Sequence, residues 1–196
     1  ALAIGADAAA AVVQAAPLVH AAADLGAPYL HVGVTAPIGE PVLEAVHSTA
    51  ALARRSGVAI AVEFLPFLPV ASIAQARAIV RACDDPAAGL VVDTWHFFHG
   101  PDGWPELEGI AADEIAYVQF DDHPAIASGD LLAETTQRRV LPGEGCFELE
   151  RFARIVRASG FDGVVGLEHL SAAARARPPA EVARELMTAA EPYWRD

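Results

Sequence analysis

Four apolar runs in this chain each reach a polar side chain able to ligate a metal: VAIAVEF supplies Glu63, GLVVD supplies Asp93, IAYVQF supplies Gln119 and GVVGLE supplies Glu168. A carboxylate or amide at the end of a segment otherwise built for burial costs free energy unless it finds a charged or hydrogen-bonding partner. Successive endings of this kind read as converging on one oxygen-rich cation site. Three carboxylates and one amide form a hard donor set, suited to Mn2+ or Mg2+, with Co2+ also accommodated. Structural zinc, which favours thiolate and imidazole, fits that set poorly. The competing reading is that Asp93 and Gln119 cap loops while the two glutamates form surface pairs.

The runs alternate with helical patterns, as expected of a parallel sheet with crossover helices. Strands are expected at Tyr29 to Val34, Val58 to Phe64, Gly89 to Asp93, Ile115 to Phe120 and Val164 to Glu168. Between them, Leu43, Val46, Ala50 and Ala53 recur at helical spacing behind Pro41, and Gly57 is placed to take a left-handed C-terminal position. Ile73, Ala76, Ile79 and Val80 form a second stripe; Leu149, Phe152, Ile155 and Val156 form a third, stopped by Gly160. Because strand residues alternate faces, Glu63 shares its side with Ala61 and Ala59, while Ile60 and Val62 face the helices. Small residues inside and branched residues outside suit a closed β/α barrel, with the polar strand endings at its catalytic face. An open doubly wound sheet is disfavoured because no GxGxxG or phosphate-binding loop follows a strand.

The expectation is thus an α/β fold, a (β/α)8 TIM barrel that is incomplete here. Five strand-helix units are legible, against the eight of such a barrel and its usual length of about 250 residues. ALAIGAD reads as the tail of a further strand. Residues 1–196 are accordingly expected to form one TIM-barrel domain lacking roughly three N-terminal units.

Composition narrows the partners. With 196 residues, 54% hydrophobic and 20% charged, the chain can bury a substantial core. The alanine-rich opening stretch is interrupted by Asp7, Gln14 and Pro17 and has no basic residues ahead of it, so neither a membrane span nor a signal peptide is expected. A net charge of −13 disfavours nucleic acid, whose binding depends on Lys and Arg neutralising phosphates. Cys83 and Cys146 form no CxxC motif and fit a reducing cytoplasm, both read as buried small hydrophobes. A soluble cytoplasmic protein is expected, with homo-oligomerisation left open.

The segments VEFLPF, VVDTWHF, VQFDDHP, RRVLPGEG and GLEHL, in that order, resemble the xylose isomerase-like TIM-barrel superfamily of sugar phosphate isomerases and epimerases. The resemblance runs from LGAPYLHVGV through GLEHL. It implies that Glu63, Asp93, Gln119 and Glu168 hold one divalent metal, and that His96, three residues past Asp93, faces the substrate. Without it, His96 reads as a histidine packed among Trp95, Phe97 and Phe98. The resemblance also implies that Asp122 orients the loop or ligand, and that Arg139, just before PGEG, grips a substrate carboxylate, phosphate or hydroxyl. A surface ion pair with Glu134 or Glu144 is the alternative for Arg139. The stretch from Asp122 to Cys146 is expected to be an active-site loop without structure of its own. His31 is a further pocket residue; His20 and His47 are expected on solvated helix faces, and alternation turns His169 away from the metal.

In the ketose 3-epimerase branch of that superfamily the two metal-bound glutamates also form the acid/base pair, which implies Glu63 and Glu168 here. The implied activity is isomerisation or epimerisation of a small polyhydroxylated substrate: a ketose, a sugar phosphate or a cyclic hydroxy acid. The alternatives are a lyase resembling 3-dehydroshikimate dehydratase, toward which Gln119 at a ligand position more often held by histidine points, and a non-catalytic sugar-binding barrel. The endonuclease IV branch needs more histidines, including one where Gln119 stands.

Overall fold

A computed structural model describes residues 1–83 and 88–195. Its strands are β1 (Leu2–Ile4), β2 (Tyr29–Val34), β3 (Ala59–Glu63), β4 (Ala88–Asp93), β5 (Ile115–Gln119) and β6 (Val165–Gly166). The helices are α1 (Ala8–Asp24), α2 (Glu40–Arg55), α3 (Ile73–Cys83), α4 (Thr94–His99), α5 (Trp104–Glu108), α6 (Leu131–Gln137), α7 (Leu149–Ala158) and α8 (Pro179–Trp194). All strand pairs are parallel and the order is sequential, β1 to β6. A doubly wound sheet reverses its strand order at a switch point; this one never does, as in a barrel wall.

The five expected strands are present, and Leu2–Ile4 adds a sixth by pairing with Val32 to Val34. The last strand is shorter than expected, only Val165–Gly166, so Glu168 lies just beyond it. The long loop also departs from expectation. It contains helix α6, whose N-cap Asp130 accepts the Ala133 N–H at 3.0 Å, and Asp122 and Val140 join in an antiparallel bridge. Helix α1 runs through Pro17, begun by Asp7, whose carboxylate accepts the Ala10 N–H at 2.9 Å.

The sheet's two faces sort by residue size. Ile60, Val62, Leu90, Val92 and Val118 pack outward into the main core with the buried stripes of α2, α3 and α7, while Ala61, Val91 and Ala116 form a small inner cluster against Tyr29 and Tyr117. Between β4 and β5 the register slips: Leu90 pairs with Ile115, yet Val91 pairs with Tyr117. The extra residue, Ala116, lies against Gly89, where a Cβ would come within 3.0 Å of the alanine methyl. With that slip absorbed, Asp93 and Gln119 stand level. Gly57 and Gly160 adopt φ of 72° and 90°, ending α2 and α7 in the left-handed conformation.

No helix among the described residues is long and apolar enough to cross a membrane. Cys83 is buried as expected. Cys146 is exposed, a correction: its loop keeps it at the surface with Sγ 3.2 Å from the His123 carbonyl.

Candidate metal centre and its surroundings

Glu63, Asp93 and His96 each place one donor atom within 4.8 Å of the others, all three buried. Glu63 and Asp93 are the last residues of β3 and β4. His96 joins them because Asp93 starts α4: its Oδ1 accepts the His96 N–H at 2.8 Å, folding the first turn back over the strand end. His96 Nε2 lies 3.5 Å from Glu63 Oε1 and 4.0 Å from Asp93 Oδ1. The donor cluster therefore includes an imidazole, where the sequence suggested oxygen alone.

Gln119, ending β5, donates from Nε2 to Glu168 Oε1 at 2.7 Å. Its Oε1 is buried with no hydrogen-bond partner. An unpaired buried acceptor is costly, and a bound cation would satisfy it. Two carboxylates, an imidazole and this amide oxygen fit a divalent metal, and the imidazole brings Co2+ and catalytic zinc into range beside Mn2+ and Mg2+. The Glu168 carboxylate is turned toward Gln119 and Arg139, with Oε2 3.2 Å from Arg139 Nη1.

Arg139 is neither at the surface nor paired with Glu134 or Glu144. It is buried, 1% exposed, and its Nη1 meets Asp93 Oδ2 at 3.1 Å, Asp121 Oδ2 and Glu168. Nε and Nη2 donate to the Thr135 carbonyl at 3.1 Å and hydroxyl at 2.7 Å, so α6 supplies the other side of its cradle. Glu134 pairs with Arg138 instead. With its guanidinium bonded within the protein, Arg139 organises carboxylates rather than standing open to a substrate.

Asp122 has a similar outcome. Oδ1 accepts the N–H groups of His123 (2.8 Å) and Phe147 (3.1 Å), and Oδ2 those of Gly143 (3.0 Å) and Gly145 (2.9 Å). It orients the PGEG loop, and its acceptors are spent there rather than on a ligand. A Cβ at Gly145 would sit 2.1 Å from Asp122 Oδ1, so only glycine fits the cradle.

His31 lies inside the sheet with Nδ1 2.8 Å from the Tyr117 hydroxyl and Nε2 3.0 Å from Glu63 Oε2. Both nitrogens thus face protein groups, in place of the expected open pocket lining. His20 is exposed beside Asp24, His47 places Nδ1 3.0 Å from the Cys83 carbonyl, and His169 turns toward Val140 and Glu144.

The charges interact. Burial raises the Glu63 carboxyl, but the His31 and His96 imidazoles beside it outweigh that and hold the group down at about 2. Burial, then the nearby Asp93 charge, pushes Glu168 up. Asp121 is fully buried, and burial raises it far above the usual carboxylate range despite Arg139. Tyr117 and Asp121 were legible in principle: they stand two residues either side of Gln119, on its face of the strand direction.

A neighbouring pair of histidines yields a pH expectation. Burial, and then the charge of His123, holds His99 down at about 4, and its Nε2 is buried without a partner. In the unfolded chain it titrates near 6.5. Between those values the unfolded state binds the extra proton, so stability is lost as pH falls from about 6.5 toward 4. Thermal melts from pH 7 to 4.5 are expected to show a shallower decline for His99→Gln than for the parent; parallel declines would dismiss His99 as the cause.

The family model described as xylose isomerase-like TIM barrel matches residues 4–192. The chain belongs to the xylose isomerase-like TIM-barrel family. Among curated relatives of this barrel, a 3-dehydroshikimate dehydratase of Pseudomonas aeruginosa is 34% identical over 145 residues, covering 72% of the chain and 23% of the relative. An inosose isomerase of Halalkalibacterium halodurans is 32% identical over 119 residues, covering 60% and 41% respectively. The chain thus spans well under half the length of either. The crystal structure of the IolI protein with a bound zinc atom superposes with a TM-score of 0.83 at 21% identity, over 93% of this chain and 68% of that one, which shows the shared barrel fold.

Proposed function

We propose that this barrel is a divalent-metal-dependent isomerase or epimerase acting on a small polyhydroxylated substrate, such as a ketose, a sugar phosphate or a cyclic hydroxy acid. The observation that carries this reading is the buried cluster of Glu63, Asp93 and His96 at the strand ends, beside the unpaired Gln119 Oε1. Glu63, Asp93 and Gln119 would hold the metal, with His96 or Glu168 completing the set. When bound, the ion supplies Lewis-acid polarisation of a substrate carbonyl.

The residues do the remaining work. Glu63, kept ionised by His31 and His96, accepts a proton from the carbon beside the carbonyl. Glu168, pushed toward its protonated form by burial and Asp93, returns one. Two carboxyls whose surroundings drive them apart in acidity suit paired base and acid roles. Return to the opposite face of the same carbon is epimerisation; return to the neighbouring carbon is isomerisation.

A second reading, loss of water from a cyclic hydroxy acid, is favoured by the dehydratase name of the relative with 34% identity. There His96 would relay the proton to the departing hydroxyl. Calorimetric titration with Mn2+, followed by incubation with a panel of ketoses and inososes and with 3-dehydroshikimate, separates the readings. Carbonyl migration or inversion supports the isomerase, and formation of an aromatic product supports the dehydratase. Absence of cation binding and of turnover would leave a sugar-binding barrel.

A further inference from the structure

We infer that Tyr117 is a positioning residue that, through His31, fixes the orientation and hydrogen bonding of Glu63. The inference rests on the reading of Glu63 as a metal ligand and base, and deepens it. The three side chains come from β5, β2 and β3; β2 and β3 are paired, and β4 lies between β3 and β5. The hydroxyl of Tyr117 is 2.8 Å from His31 Nδ1, and His31 Nε2 is 3.0 Å from Glu63 Oε2. The two rings meet edge to face, with centroids 6.0 Å apart and planes at 76°.

The chemistry orders the hydrogens. An ionised carboxylate can only accept, so a neutral imidazole beside it carries its hydrogen on Nε2, leaving Nδ1 as acceptor. The Tyr117 O–H is then the donor to Nδ1. Without it, only the off-line contact with Glu63 favours that tautomer, and a ring with its hydrogen on Nδ1 would turn a lone pair toward Glu63. The 3.0 Å approach of Nε2 to Oε2 is an ion-pair-length contact rather than a straight hydrogen bond, so it depends on how the far side of the ring is held. Meanwhile Glu63 Oε1 is the oxygen near His96, 3.5 Å from its Nε2. Tyr117 and His31 thus hold one oxygen of Glu63 while leaving the other to the donor cluster. Partners of this kind behind metal-binding carboxylates and imidazoles typically contribute about 10–100-fold in metal affinity.

The test uses Tyr117→Phe, which removes only the hydroxyl, with Tyr117→His as a variant that can restore a donor, and thermal melts to establish that each folds. Two readouts are taken at pH 8: Mn2+ affinity by calorimetry, and the 15N shifts of His31 assigned with a His31→Gln control. The expected result for Tyr117→Phe is Mn2+ affinity lower by about tenfold, with His31 signals moving from the Nε2–H form toward a mixture, and partial recovery of both in Tyr117→His. Unchanged His31 tautomer in a folded Tyr117→Phe overturns the inference, as does unchanged Mn2+ affinity. If the parent chain binds no Mn2+, the metal reading fails on its own, while the His31 signals still decide whether Tyr117 sets the tautomer. Should Tyr117→Phe not fold, Tyr117→His and the parent's own His31 signals carry the same decision: a parent His31 found in the Nδ1–H form overturns the inference.

Discussion

Replacing Arg139 with methionine is expected to destabilise the chain by about 3–5 kcal/mol, the usual cost of leaving a buried charge without its partner. The Arg139 side chain is 1% exposed, and it stands between Asp93 and Asp121, both wholly buried. Methionine fills much of the volume but strands two carboxylates beside each other. Urea unfolding followed by tryptophan fluorescence reads the effect; a midpoint within error of the parent's would mean the carboxylates do not depend on the guanidinium. Asp121→Asn is the instructive contrast. The amide keeps an acceptor for Arg139 and leaves Asp93 as its charged partner, so it is expected to cost less than loss of the guanidinium, about 1–3 kcal/mol.

The second large effect is at Glu63. Glu63→Gln keeps the side chain's shape and removes its charge from a cluster whose other members are Asp93 and His96. Mn2+ affinity is expected to fall about 100-fold or more, beyond what the loss of a mere supporting partner brings. Turnover of any substrate the parent converts should fall to background. The amide keeps the side chain's shape and can still hydrogen-bond beside His31 and His96, so the variant is expected to fold. An isotherm unaltered by the substitution would remove Glu63 from the metal set and with it the proposed base.

The strand ends were legible in the sequence because burial and chemistry pull in opposite directions there. Alternation put Glu63 with Ala61 and against Ile60 and Val62, and the two faces divide in that way. What escaped was short or non-local. Leu2–Ile4, legible only as the tail of a further strand, is too brief for a period to register, and it gains its place by pairing with β2. The α6 sequence LLAETTQ has two β-branched threonines in one short turn pair, and its role is clear only once Thr135 is seen cradling Arg139. Arg139 itself was singled out, yet its partners Asp93, Asp121 and Glu168 lie 46, 18 and 29 positions away. No local pattern could reveal that cage. The sequence places His96 facing a substrate, and its place among the donors follows from a helix cap, a detail of backbone direction rather than of composition.

Asp93 holds three jobs at once: it starts α4, pairs with Arg139 and offers an oxygen to the donor cluster. For a lineage exploring new substrates, that makes Asp93 a locked position, because no mutation there can alter the site without also unravelling a helix start and exposing a buried cation. Gln119 is the opposite. Its carbonyl oxygen serves only the cation it would hold, and its amide bonds Glu168 at the rim, so exchange for another ligand disturbs neither a helix start nor a buried ion pair. Evolutionary drift, and directed evolution with it, should therefore find its cheapest route to new chemistry through Gln119.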